Sequence, residues 1–266
     1  MKKMLELKKM PSNLKNYHFR IGLIFVLLIF SGCSNQRKIN HKLNSEMPPK
    51  ILWAWERPED LRFIDTDEFG VAFLAQVLTL QNDEINYNPR RQPLELAPQT
   101  YLIAVTRIET SKDSAKRPTL SDEQRKKVVN YIKKTLELPN IKAIQIDFDA
   151  TVSERAFYRK LVNDLRKELP ENFPFTITAL ASWCVGDAWF NDFPVDEAVP
   201  MAFVMGADTE KIRTFLESGN DWREPLCRGS YGISIDEPLN INFKPNRRFY
   251  YFKSKAWTKA DIERIK

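Results

Sequence analysis

The chain has 266 residues and a formal net charge of +6, from 41 Lys and Arg against 35 Asp and Glu. Six of the basic residues and one acidic residue lie in the first 20 positions, so the rest of the chain carries only about +1. The basic balance therefore belongs to the N-terminus, and no later basic cluster with interleaved aromatics suggests a nucleic-acid partner.

The N-terminus predicts export. After the basic first 20 residues, the apolar run Ile21–Phe30 is too short to span a bilayer and suits a signal-peptide core. Small residues then precede Cys33, a pattern that resembles the bacterial lipobox, in which the Cys is diacylated. The resemblance implies a cleaved signal at 1–32, followed by a lipidated Cys and polar tether at 33–49. Ser34 in the next position implies anchoring in the outer membrane of the cell envelope, facing the periplasm or the surface. An uncleaved N-terminal anchor is the alternative.

Eight apolar segments with the length and the β-branched or aromatic content of strands follow at fairly even intervals. They are ILWAWE (51–56), GVAFLAQVLTL (70–80), YLIAVTRIE (101–109), AIQIDFD (143–149), FTITALAS (175–182), EAVPMAFVM (197–205), GSYGISI (229–235) and RFYYF (248–252).

Helical patterns alternate with several of these segments. Ser121 and Gln124 form a predicted capping box before one amphipathic helix, and Ser153 opens the next. The shorter patterns DTEKIRTFLES and TKADIERI come later. Strand–helix alternation with eight strands predicts a single (β/α)8 TIM-type barrel over residues 50–266.

The first half of the domain departs from strict alternation. Only PEDLRFI (58–64) is available as a helix between the first two strands, and LTLQNDEINYN (78–88) predicts a β-hairpin that turns at Asn82 and Asp83. We therefore predict a partly degenerate barrel, with an open α/β sheet as the alternative.

Three predicted strands lead into carboxylates. AIQIDFD places Gln145, Asp147 and Asp149 on one face, and the segments LWAWE and GSYGISIDE lead to Glu56 and Asp236. If the bulky faces pack on the helices, the polar faces point into the barrel. The four acids are then expected to converge at the carboxyl ends of the strands, where barrel enzymes place their active sites.

The bulky face of LWAWE consists of Trp53 and Trp55, which this interpretation assigns to the helix-facing core. Trp183 is a candidate platform for a sugar ring, and Asp187 lies in the same segment. Arg107, at a strand end, is a candidate contact for an acidic substrate.

Convergent carboxylates suit glycoside hydrolysis, in which one acid protonates the leaving oxygen and another activates water or stabilises the positive sugar ring. Asp149 is the predicted acid/base and Asp147 its orienting partner. Structural roles are the alternatives: Asp149 would tighten the turn before the next helix, Arg107 would pair with Glu109, and Asp236 would belong to an ordinary turn. No cofactor is expected. A metal site has little support, because the two histidines precede the predicted fold.

Two cysteines lie within the predicted domain, Cys184 and Cys227. An exported protein is in a compartment that permits disulfides. The strand assignment, however, places the two residues near opposite ends of the barrel, so a bond between them is not expected.

The segments AIQIDFDATVSERAFYRKLVNDLR, TALASWCVGD, DEAVPMAFVMG and CRGSYGISIDEP together resemble the bacterial proteins grouped as domain of unknown function 3142. The resemblance covers most of residues 51–252. It implies a glycosidase-like barrel in an exported protein and supplies no known reaction.

A weaker resemblance connects KAIQIDFD to the chitinase-type strand pattern D-G-x-D-x-D-x-E. That pattern implies Asp149 as the catalytic acid and Asp147 as its supporting Asp, whereas Lys142 and Gln145 stand where the pattern has acids. The sequence thus yields two hypotheses. The first is a lipoprotein that acts on a carbohydrate such as a peptidoglycan-type glycan. The second is a non-catalytic lipoprotein that binds a glycan or another partner, which the missing chitinase-type Glu favours.

Overall fold

The computed structural model describes residues 46–187 and 189–265, which belong to one compact unit, Asn40–Lys266. The predicted signal peptide, the predicted lipidation site Cys33 and most of the predicted tether lie outside the described residues. Within the described ranges, no helix has the length and apolar character needed to cross a membrane.

Eight parallel strands form a closed barrel, each pairing with the next and the last pairing with the first. They are β1 Lys50–Ala54, β3 Phe69–Gln81, β6 Leu102–Thr110, β7 Ile141–Asp147, β8 Phe175–Leu180, β9 Glu197–Met201, β10 Ser230–Ser234 and β11 Arg248–Phe252. Each corresponds to one of the eight predicted segments. The prediction of a single TIM-type barrel is therefore confirmed, and the alternative of an open sheet is wrong.

The helices pack on the outside of the barrel. They are α1 Asp122–Lys134, α2 Arg155–Glu168, α3 Ala181–Gly186, α4 Thr209–Glu217 and α5 Lys259–Arg264. Ser121 caps α1 by accepting a hydrogen bond from the backbone N–H of Gln124, as predicted. The return bond of the predicted capping box is shifted by one residue, because the side chain of Gln124 accepts from the N–H of Leu120 (3.0 Å). The turn that leads into α2 begins at Thr151 rather than at Ser153, and the carboxylate of Glu154 accepts from the N–H of Thr151 (2.7 Å).

The first half of the barrel lacks the usual helices. The predicted hairpin is present: β4 Glu84–Pro89 pairs antiparallel with β3 and turns at Asn82 and Asp83. The helix predicted at 58–64 is wrong, because this segment contains strand β2 Glu59–Leu61, which pairs with β5 Leu94–Leu96. Burial in β2 alternates with a period of two, as in a strand, and no helical face is formed.

Two apolar cores lie on the two sides of the barrel wall. The outer core joins the strands to the helices, whereas the inner core contains residues of the barrel strands and of the segments flanking them. Trp53 belongs to the inner core, with Trp55 packed against it, while Leu52 and Ala54 face outward. The predicted orientation of β1 is therefore wrong. Small inward residues such as Ala72 on neighbouring strands leave room for an indole inside the barrel.

Two residues of the predicted tether, Met47 and Pro48, pack against the barrel before β1 begins. Met47 is buried, and the hydroxyl of Tyr250 lies 3.6 Å from its sulfur. The carbonyl of Pro48 accepts a hydrogen bond from Nε of Arg248 (3.1 Å). Packed structure thus begins a few residues before β1.

Cys184 and Cys227 form a disulfide bond, with their Cα atoms 5.9 Å apart, so the prediction of unbonded thiols is wrong. The predicted strand reaches residue 182, but β8 ends at Leu180 and the chain turns at once into α3. The carbonyl of Cys184 accepts hydrogen bonds from the N–H groups of Arg223 and Glu224, which brings the second cysteine alongside.

Candidate active site

Asp147 is the last residue of β7, and its buried carboxylate is held from both neighbouring strands. Arg107 of β6 donates from Nη1 to Oδ2 (2.7 Å), and the hydroxyl of Thr178 on β8 donates to Oδ1 (2.8 Å). Strand alternation explains the geometry, since Ile146 belongs to the outer core and Asp147 therefore faces inward. Both carboxylate oxygens are fixed in position.

Asp149 lies two residues further on, and its side chain is 45% exposed. Its Oδ2 atom lies 4.0 Å from Nη2 of Arg107, and no hydrogen bond from another described residue reaches the carboxyl group. The turn before α2 is capped at Thr151, so the structural alternative for Asp149 does not apply. This carboxyl group is available to exchange a proton with a ligand or with water.

The electrostatic setting makes Asp149 a weak acid. Partial burial and the negative charge of Asp147 raise its pKa, the guanidinium of Arg107 opposes both effects, and the net result is a rise from 3.8 to about 6. One side of this carboxyl group faces water, while the other lies against protein. A carboxyl with a pKa near 6 is protonated in about half of the molecules at pH 6 and about a tenth at pH 7, so it can act as a general acid in mildly acidic to neutral solution.

Arg107 connects three carboxylates. In addition to Asp147 and Asp149, it contacts Glu109, whose Oε1 accepts from Nε (2.9 Å). Burial disfavours the charge of the guanidinium, but the neighbouring carboxylates outweigh it, so the pKa of Arg107 is raised. The pairing of Arg107 with Glu109, foreseen as an alternative, is confirmed. The same guanidinium also positions Asp147.

Glu56 and Asp236, the other two acids expected at the barrel mouth, have different partners. Oε1 of Glu56 accepts from the backbone N–H groups of Arg91 (2.8 Å) and Gln92 (3.2 Å). Oδ2 of Asp236 accepts from the N–H of Ser254 (2.6 Å), and this bond lowers its pKa. Neither carboxylate makes an ion pair or hydrogen bond with Arg107 or the two acids beside it. For Glu56 the reason is the reversed orientation of β1.

The remaining candidates have structural contacts. Trp183 is buried in the outer core, where it packs edge-on against Trp189 (5.0 Å between ring centres), so it offers no open face to a sugar. Asp187 forms an ion pair with Arg155. Gln145 is fully buried inside the barrel and donates from Nε2 to the hydroxyl of Thr176 (3.0 Å).

Sequence reasoning missed two features of this site. Thr178, which holds Asp147, lies on the same face of β8 as Thr176, so the alternation of FTITAL was the signal that could have found it. Trp55 is half-buried beyond the end of β1 and contacts Trp53 (5.4 Å) and Phe252 (6.5 Å). Like Phe203 after β9, it packs against the inner core just beyond the carboxyl end of its strand.

Comparison with protein-family models finds no match to this chain, and a search of curated proteins finds none either. The structure defines the class as a TIM-type barrel, with an acid pair at the carboxyl end of its fourth strand. Within the described ranges, no three His, Cys, Asp or Glu side chains are grouped so that they could hold a metal ion.

Proposed function

We propose that the protein is an exported lipoprotein whose glycosidase-like barrel acts on a glycan, with Asp149 as acid/base. The observation that carries the proposal is the pairing of two unlike carboxyl groups. Asp147 is buried and held by hydrogen bonds from Arg107 and Thr178, whereas Asp149 is accessible and has a pKa raised to about 6. Two carboxyl groups with different environments are the arrangement that acid/base chemistry on a glycosidic bond needs.

In the proposed reaction, protonated Asp149 donates its proton to the oxygen of the glycosidic bond as that bond breaks. Asp147, fixed by Arg107 and Thr178, stabilises the positive charge that develops on the sugar ring while the other sugar leaves as an alcohol. Water then adds to the ring carbon and gives a proton back to Asp149, which restores the acid. The half-buried ring of Trp55 is the proposed platform for the sugar. Activity is therefore expected to fall as the pH rises above about 6, when Asp149 loses its proton.

The test is release of reducing ends from a panel of peptidoglycan and polysaccharides by the full chain in mild detergent. Asp149→Asn is expected to abolish release without lowering the melting temperature, and Asp147→Asn to reduce release strongly. Asp208→Asn is the matched control, because Asp208 is an exposed carboxylate in the loop after β9 whose side chain caps no helix. Equal activity of Asp149→Asn and the wild type would overturn the assignment.

The second candidate is a non-catalytic barrel that binds a glycan or another partner of the cell envelope. Two observations favour it. Glu56 and Asp236 accept hydrogen bonds from backbone N–H groups, and aromatic side chains occupy the barrel interior. Binding of a glycan from the same panel, without reducing-end release at any pH between 4 and 8, would select this candidate.

The proposed anchoring rests on the sequence around Cys33. We propose that the chain is lipidated at this residue and held at the outer membrane, facing the periplasm or the surface. In cells fed a labelled fatty acid, the wild type is expected to acquire label and Cys33→Ser to acquire none. Label retained by the variant would contradict the lipoprotein assignment.

A further inference from the structure

The outer face of β3 carries a groove where a barrel of regular strand–helix alternation would have a helix. Between β3 and β6 the chain forms the strands β4 and β5 in place of that helix. A hollow of about 280 Å³ lies against the outer face of β3, between β4 and the C-terminal end of α1. A second hollow of about 180 Å³ lies beside α1, and Lys134 lines both. Together they form what we call the β3–α1 groove, near the lower limit of small-molecule sites in size.

The charge of this groove is positive. Of the described residues that line it, none is acidic, whereas Arg90, Arg91, Lys127 and Lys134 are basic. No described carboxylate lies within 4.0 Å of the side-chain nitrogens of Arg91 or Lys134. Arg90 is held by backbone carbonyls and faces Glu56 at 3.9 Å, so it forms part of the wall. Lys127 lies 3.6 Å from a carboxylate oxygen of Glu84 and donates to the carbonyl of Asp83, so it already has partners. Arg91 and Lys134 are thus the two cations left for a ligand.

A pair of tyrosine rings separates the two hollows. Tyr87 lines the larger hollow and Tyr131 the smaller, and their rings stack with centres 4.8 Å apart. The side chain of Tyr87 is 41% exposed, one of the few large apolar surfaces that the described chain leaves open. Nζ of Lys134 lies 5.6 Å from the ring centre of Tyr131, so a flat aromatic surface and a cation occur together.

We propose that the β3–α1 groove binds a linear glycan whose sugars carry carboxylate groups. Arg91 and Lys134 would each meet a carboxylate, and the ring of Tyr87 would receive the apolar face of a sugar. Because the groove runs across two adjoining hollows, it suits more than one sugar unit. This site lies on the outside of the barrel wall and involves none of the residues of the candidate active site.

The experiment measures binding of a pentamer of galacturonic acid to the full chain by calorimetry. The wild type is expected to bind it and to bind its fully methyl-esterified form, which lacks the charges, about tenfold or more weakly. Arg91→Gln and Lys134→Gln are expected to weaken binding of the acid form about tenfold when combined. Tyr87→Ala is expected to weaken both forms. Lys126→Gln is the matched control, since it removes a charge from the same helix outside the groove.

Three results would overturn the proposal. The first is that the wild type does not bind the pentamer, and the second is that Lys126→Gln weakens binding as much as the groove variants do. The third is equally tight binding of linear polyphosphate, which would indicate attraction to any polyanion. Binding to the groove is expected to be unchanged in Asp149→Asn. Failure of the proposed catalysis and failure of this binding site are therefore separate results.

Discussion

The side chain of Asp149 faces water, yet its pKa is raised to about 6, chiefly by partial burial and by the nearby Asp147. In the unfolded chain the same group titrates near 3.8. Between these two values the folded protein holds a proton that the unfolded chain has lost, so this residue makes stability fall as the pH rises. Asp149→Asn is therefore expected to raise the melting temperature at pH 7.5, with the gain disappearing as the pH falls toward 4.

A residue with the opposite shift supplies the control. Asp221 accepts two hydrogen bonds from Arg247, which outweigh its partial burial and lower its pKa. Its contribution to stability is present above the unfolded pKa and is lost in acid. Asp221→Asn is therefore expected to lower the melting temperature at pH 7.5. If Asp149→Asn also lowered it at that pH, the raised pKa of Asp149 would be wrong.

A buried ion pair inside the barrel gives a second prediction at this scale. Glu197 and Arg248 are both buried, Nη1 of Arg248 donates to Oε2 of Glu197 (2.9 Å), and the hydroxyl of Tyr250 donates to the same oxygen (3.0 Å). Arg248→Met leaves the carboxylate without its counter-charge and is expected to lower the free energy of unfolding by about 3–5 kcal/mol. Urea denaturation measures the change.

The comparison for this pair is Arg62→Met, which breaks an exposed ion pair with Asp60. Water screens such a pair, so little or no change in the free energy of unfolding is expected. A similar small change in Arg248→Met would show that Glu197 is neutral or hydrated in the folded protein.

At the scale of single elements, the first turn of α1 is capped by the side chain of Ser121. The hydroxyl of Ser121 accepts from the N–H of Gln124 (3.1 Å), a bond that an alanine lacks. Ser121→Ala is therefore expected to lower the free energy of unfolding by about 1 kcal/mol. Ser153→Ala should change it by less than about 0.5 kcal/mol, because the cap of the turn before α2 is Thr151. If urea denaturation gave equal losses for Ser121→Ala and Ser153→Ala, Ser153 would be a cap of its helix, as the sequence predicted.

The eight barrel strands were predictable because each is a compact apolar run, and a strand buried on both sides needs such a run. The direction in which each strand faces was less predictable. In a barrel both faces are buried, so the bulk of Trp53 could not tell the inside from the outside. For β7 the charge of Asp147 gave the direction, because an ionised group needs partners at the mouth.

Two other elements had no usable signal in the sequence. Strands β2 and β5 have three residues each, too few for a periodic pattern to stand out. The alternation of β8 places Thr178 on the inner face, but its contact with Asp147 depends on the register between β7 and β8, which only the closed sheet defines. The pair of acids could thus be predicted from the sequence. The contacts that bury Asp147 and leave Asp149 accessible could not.

For the molecule as a whole, the missing helices of the first half and the site at the mouth are consequences of the same chain path. Replacing the helix after β3 with β4 and β5 leaves the outer face of β3 partly open and creates the β3–α1 groove. The loop after β4 also supplies the N–H groups that hold Glu56, which the orientation of β1 turns out of the barrel. The irregular half therefore forms the proposed groove and accounts for one acid that is not at the mouth.

The disulfide connects helix α3 to the segment before β10, and its two cysteines are 43 positions apart in the chain. Both cysteines are fully buried, so reduction requires opening of the fold. Closing a loop of this length restricts the unfolded chain, and the variant with both Cys184→Ala and Cys227→Ala is expected to lose about 2–4 kcal/mol of the free energy of unfolding. Urea denaturation with and without reductant measures it. Reductant should destabilise the wild type by a similar amount and leave the double variant unchanged. Thiol titration of the denatured wild type that finds both cysteines free would contradict the bond itself.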